Sequence, residues 1–127
     1  MARILLVDDS KFQRKCISKM LCSLGHEVSE AENGEMGLKM IETVKPDIIV
    51  TDLLMPVLDG IGLLRGVKER NRPIPVVVVT ADIQESTRQE CLQLGAKAFL
   101  NKPHNSADLE TALSQFLNPK SGEKARC

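Results

Sequence analysis

The stretch Ile4-Leu5-Leu6-Val7-Asp8-Asp9 sets an apolar run against two carboxylates, and the same design recurs along the chain. Ile48-Ile49-Val50-Thr51 meets Asp52, Val76-Val77-Val78-Val79 meets Thr80, and Ala98-Phe99-Leu100-Asn101 meets Lys102. Apolar runs without polar alternation mark strands that are buried on both faces. Between them the period turns helical, with Ile17, Met20, Leu21 and Leu24 at i, i+3, i+4 and i+7. Strands alternating with helices build βαβ units, whose right-handed crossovers give a parallel sheet. The polar ends of all four runs then gather along one sheet edge, where open α/β folds place their chemistry.

Working outward from these runs, strands are expected at about 3–8, 26–31, 47–51, 76–80 and 97–101. Helices are expected at about 11–24, 35–44, 60–70, 83–94 and 106–117. Gly25 and Gly95 fall where helices end, Asn33-Gly34 is a turn, Pro46 punctuates the entry to strand three, and the third helix ends before Pro73 and Pro75. The result is a single α/β domain, a doubly wound (βα)5 flavodoxin-like fold with strand order 2-1-3-4-5. Strands one, three and four are central, and the more polar second strand takes an edge. The domain is expected over residues 1–118, with a fraying tail at 119–127 that lacks apolar periodicity.

Composition narrows the function. Seventeen basic and seventeen acidic residues cancel, which argues against sequence-independent nucleic-acid binding and against an anionic-membrane binder. No apolar stretch approaches the roughly 20 residues of a membrane span, and the N-terminus runs straight into a strand, so a cytoplasmic location without membrane insertion is expected. Cys16, Cys22, Cys91 and Cys127 form no CxxC pair, so they read as free thiols rather than zinc ligands. His26 and His104 lie beside a helix-ending glycine and a proline, and both read as surface residues.

The sheet-edge residues carry the chemistry. Asp8, Asp9 and Asp52 crowd three like charges onto neighbouring strand ends, a repulsion that a hard cation with oxygen ligands relieves. Mg2+ suits the set because no His or Cys is present, and Mn2+ is able to substitute. Thr80 offers a short hydroxyl donor and Lys102 an ammonium on a flexible stem. A carboxylate nucleophile, a metal and donors to the transferred oxygens are the parts of phosphoryl transfer. Asp52 is the candidate nucleophile because it ends a central run and precedes the turn Met55-Pro56-x-x-Asp59-Gly60. Taken singly, each of these aspartates is as readily a turn or cap residue, and Asp-Asp-Ser10 is also a helix start.

Val7-Asp8-Asp9-Ser10, Asp52-Leu53-Leu54-Met55-Pro56-Val57-Leu58-Asp59-Gly60, Val79-Thr80-Ala81 and Lys102-Pro103 together resemble the response-regulator receiver domain of two-component signalling. The resemblance spans residues 2–117. It implies that Asp52 takes a phosphoryl group from a sensor histidine kinase. Asp9, Asp52 and the backbone carbonyl of Leu54 would then bind Mg2+, with Asp8 acting largely through water. Thr80 and Lys102 would contact the phosphoryl oxygens, and a cis peptide is implied before Pro103. Phe99 falls at the family's aromatic switch position, where the ring turns inward on phosphorylation and remodels the surface of the fourth helix, fifth strand and fifth helix. An ordinary core aromatic is the competing reading of Phe99. Leu54 and Asp82, two residues past Asp52 and Thr80, border the path of attacking water and set the acyl-phosphate lifetime in receivers.

The family implies a switch with only self-directed phosphotransfer and autodephosphorylation, not a turnover enzyme. A haloacid-dehalogenase-like phosphohydrolase wants an acid/base aspartate where this chain has Leu54. Nucleotide binding lacks both GxGxxG and GxxxxGK[ST]. The complete acceptor set argues against a phosphorylation-independent adaptor, and nothing after residue 117 reads as a DNA-binding unit. Output is therefore expected through a downstream protein on the fourth-helix to fifth-helix surface, in the stand-alone chemotaxis-regulator type of receiver. A phosphorelay intermediate serving a histidine phosphotransfer protein is the alternative.

Overall fold

The computed structural model describes residues 2–53, 55, 57–70, 74–81, 84–101 and 106–116. Strands and helices alternate strictly: β1 (Arg3–Val7), α1 (Lys11–Ser23), β2 (Glu27–Ala31), α2 (Gly34–Val44), β3 (Ile48–Thr51), α3 (Gly60–Lys68), β4 (Val76–Thr80), α4 (Glu85–Gln93), β5 (Ala98–Asn101) and α5 (Ser106–Phe116). All strand pairs are parallel, and the sheet runs β2-β1-β3-β4-β5. The expected doubly wound order is present, with β1, β3 and β4 inside and β2 at an edge.

Period-two alternation divides each central strand between two cores. Leu5, Val7, Ile49, Val76 and Val78 face one cluster with Ile41, Leu63, Leu64, Val67 and Cys91, under α2, α3 and α4. Ile4, Leu6, Ile48, Val50, Val77 and Val79 face the other, with Ile17, Leu21, Leu109 and Leu113 from α1 and α5. Both faces of the three strands are therefore covered, which explains why their sequences read as unbroken apolar runs. Each fully buried Leu, Ile or Val contributes about 1.5–3 kcal/mol against exposure.

Helix starts follow local chemistry. The side-chain oxygens of Ser10, Asn33 and Asp59 accept from the amides of Gln13 (3.2 Å), Met36 (2.8 Å) and Gly62 (2.9 Å), each satisfying an amide that the helix leaves orphaned. Gly25 and Gly95 take φ of 92° and 106° just past α1 and α4, the left-handed turn that glycine adopts without strain.

Most observed elements end a residue or two inside the expected ranges; β4 coincides with its own, and α2 begins at Gly34, which the sequence pattern places in the turn before it. The fourth helix begins at Glu85 rather than near 83, and Ile83 lies outside the described residues. His26 departs from its surface reading: the ring is half-buried, and its Nδ1 accepts the Ala2 amide at 3.2 Å. Burial, together with the positive N-terminus, holds its pKa below the ordinary imidazole value. Among the described residues, Cys16 and Cys22 are exposed cysteines outside any disulfide, and Cys91 is a buried one. No helix among these residues is long and apolar enough to cross a membrane. The expected tail at 119–127 lies outside them.

Candidate functional site

Val7 and Thr51 are register partners on adjacent strands, so the next residue of each chain, Asp8 and Asp52, leaves the sheet side by side. Their backbones continue the ladder briefly. The Asp52 amide donates to the Val7 carbonyl at 2.9 Å, and the Asp8 amide donates to the Ala31 carbonyl at 3.1 Å. Asp9 follows one residue beyond. One carboxylate oxygen from each of Asp8, Asp9 and Asp52 lies within 4.8 Å of the others. Asp8 is buried, Asp52 half-buried and Asp9 exposed, so the group forms a funnel from solvent to sheet edge.

Neighbouring bonds fix how each acid is presented. Asp8 Oδ1 accepts the Ser10 amide at 2.9 Å. Asp52 Oδ1 accepts the Leu53 amide at 2.6 Å, and the Thr51 hydroxyl donates to the Asp52 carbonyl at 2.8 Å. Thr80 ends β4 at the same edge and is fully buried. Phe99 pairs with Val78 and Asn101 with Thr80, so Phe99 and Thr80 stand diagonally on one sheet face. The Phe99 ring is half-buried and packs against the cluster under α2, α3 and α4. Of the residues singled out in the sequence, Asp8, Asp9, Asp52 and Thr80 converge here. Lys102, Leu54 and Asp82 lie outside the described residues.

Three oxygen donors, with no nitrogen or sulfur ligand among them, match a hard divalent cation and not zinc. At 4.8 Å a pair of carboxylate charges repels by about 1 kcal/mol in a water-like medium and several times more where water is partly excluded. The donor set therefore fits Mg2+ on the chemistry of its own atoms.

A sequence profile described as the response regulator receiver domain matches residues 4–114. The chain belongs to the response-regulator receiver family. The receiver is 35% identical to the chemotaxis protein CheY of Bacillus subtilis over 117 residues, covering 91% of this chain and 98% of that protein. It is 39% identical to a protein-glutamate methylesterase/protein-glutamine glutaminase of Treponema denticola over 121 residues, covering 91% of this chain. The chain spans about a third (32%) of the length of that methylesterase relative. Among solved structures it resembles the receiver domain of a sensor histidine kinase from Pseudomonas aeruginosa PAO1, which has magnesium coordinated in its active-site cleft. That match has a TM-score of 0.84 at 32% identity, covering 91% of this chain and 97% of the other.

Sequence reasoning missed two features of the receiver's site. The first is a bridge from Arg14 on α1 to Glu30 on β2. The second is Val57, in the loop between the candidate acceptor and α3, which holds φ at 69° while its side chain is 72% exposed. A β-branched residue in the left-handed region is an outlier, and burial does not compensate it. Val57→Asn is expected to raise stability by about 1 kcal/mol, the low end of the left-handed penalty. Urea denaturation should show a higher midpoint with an unchanged slope.

Proposed function

We propose that this receiver accepts a phosphoryl group on Asp52 from a sensor histidine kinase and signals through a protein that binds its α4–β5–α5 face. The observation that carries the reading is the convergence of the Asp8, Asp9 and Asp52 carboxylates at the ends of two adjacent strands. An Asp52 oxygen attacks the phosphorus of a phosphorylated histidine. The P–O bond forms as the P–N bond breaks, and the electron pair leaves on the imidazole nitrogen, which takes up a proton. Asp9, Asp52 and the Leu54 carbonyl would hold Mg2+, with Asp8 acting through water, and the ion would supply positive charge against the transferred oxygens.

The Thr80 hydroxyl and the Lys102 ammonium donate to the phosphoryl oxygens. Drawing Thr80 toward them vacates space on the face it shares with Phe99, and the ring follows inward, altering the surface between α4 and α5. Leu54 and Asp82 set how soon water hydrolyses the acyl phosphate. The setting is the cytoplasm. Likeness to a CheY relative, 35% identical over 117 residues, favours a chemotaxis regulator over a phosphorelay intermediate.

The test is intact-protein mass spectrometry after incubation with acetyl phosphate and Mg2+. One phosphoryl group, absent with a chelator and released by hydroxylamine as an acyl phosphate, is the expected result. Amide hydrogen exchange with beryllofluoride in place of phosphate should change in α4 and β5. Absence of both the adduct and the exchange change overturns the reading.

A further inference from the structure

We propose that Arg14 is a positioning residue for the metal-binding carboxylates, an assignment that rests on the receiver reading above. Arg14 sits in the first turns of α1, and its Nη1 donates to the Asp8 carbonyl at 2.7 Å. Its Nε donates to Glu30 Oε1 on β2 at 3.0 Å. The two side chains are only 13% and 23% exposed. Lys15 closes the other side of the carboxylate, with Nζ 3.4 Å from Glu30 Oε2. Burial alone would raise the Glu30 pKa, but hydrogen bonds from Arg14, Ser18 and Lys15 outweigh it and hold the group below its ordinary value.

The consequence for the site runs through the peptide plane. The carbonyl that Arg14 grips belongs to the Asp8–Asp9 peptide, so its direction sets the direction in which Asp9 leaves the strand. Asp8 is then fixed at three points: its amide on Ala31, its Oδ1 on the Ser10 amide, and its carbonyl on Arg14. Glu30 stands on the strand beside β1 and anchors the guanidinium, so the metal loop is braced against the sheet edge rather than left to its own turn. An arginine is required because one planar fork presents separate N–H groups to two acceptors, whereas a lysine presents a point charge. Arg14 is placed to orient the carboxylates, and its action is indirect.

The experiment is Mg2+ titration by isothermal calorimetry on the full chain, comparing wild type, Arg14→Lys, Glu30→Gln and the double variant. Arg14→Lys keeps the net charge, so long-range attraction for the cation is unchanged and only the bridge is lost. Outer partners of metal ligands are generally worth about 10- to 100-fold in affinity, and that weakening is expected for each single variant. The double variant should lose little more than either single one, because both break one unit. Circular dichroism and urea denaturation establish that the variants compared are folded. Glu30→Gln attacks the bridge from its other end, so the assignment stands or falls even where one variant folds poorly. Wild-type Mg2+ affinity in a folded Arg14→Lys or Glu30→Gln variant overturns the positioning role alone. Absence of saturable Mg2+ binding by the wild type overturns the metal-site reading and this assignment with it.

Discussion

Asp52→Asn is expected to abolish phosphoryl incorporation from acetyl phosphate entirely, while leaving the fold intact and raising its stability in the absence of divalent ions. An amide nitrogen and oxygen retain the shape of the carboxylate, and the oxygen still accepts the Leu53 amide that Asp52 Oδ1 holds at 2.6 Å. Local geometry therefore persists, but the anionic nucleophile is gone, and no acyl phosphate forms at that position. One of three charges whose oxygens crowd within 4.8 Å also disappears. Relief of a like-charge pair is worth about 1 kcal/mol in a water-like medium, so the urea midpoint without metal should rise. Addition of Mg2+ should reverse the order. A ligand held at 100 times its dissociation constant stabilises the native state by about 2.7 kcal/mol, and the wild type gains this while the variant, short of a ligand, gains far less. Intact mass and urea denaturation, each with and without Mg2+, read all three effects. A phosphoryl adduct persisting on Asp52→Asn would move the acceptor to Asp8 or Asp9.

The parts of this molecule that were legible in its sequence are those set by one-dimensional pattern. The runs 4–7, 48–51 and 76–79 read as central strands because each is covered on both faces, and coverage on both faces removes polar alternation. Asp8, Asp9, Asp52 and Thr80 were visible because each interrupts such a run at its end, and a parallel sheet brings like ends together. What escaped the reading depends on contacts between elements distant in sequence. Arg14 and Glu30 are separated by 16 positions, and no periodicity on α1 or β2 announces that a buried fork spans them. Val57 escaped for the opposite reason. Its residue type argues against the left-handed conformation that the loop imposes. His26 read as a surface residue because the chain beside it ends a helix, yet Ala2, just ahead of β1, lies next to it and supplies its amide to the ring. Asn33-Gly34 read as a turn, but the glycine is required by the Leu58 carbonyl, which accepts its amide at 2.9 Å and occupies the space a Cβ would need.

Gly60→Ala is expected to cost substantial stability for a single added carbon. Gly60 opens α3, and its amide donates to the Leu53 carbonyl at 2.8 Å. A Cβ placed there would lie 2.6 Å from the Asp52 carbonyl oxygen and 2.8 Å from the Leu53 Cα. Both are backbone atoms of the segment that carries the candidate acceptor, so no side chain can swing aside to relieve the contact. Helix propensity pulls the other way: alanine inside a helix is favoured over glycine by about 1 kcal/mol. Overpacking of a well-filled site costs about 1–3 kcal/mol, and a clash with backbone on two sides belongs at the upper end. The net expectation is a loss of about 2 kcal/mol in urea denaturation. The sign is decisive, because a gain would mean that α3 moves freely away from Asp52. The same displacement should reach the chemistry, since yielding by the Asp52–Leu53 backbone shifts the carboxylate relative to Asp8 and Asp9. Weaker Mg2+ binding and slower phosphoryl incorporation in the folded fraction should therefore accompany the lost stability. Asp59→Ala, which removes only the cap on the Gly62 amide, should cost about 1 kcal/mol and leave both site measurements near wild type.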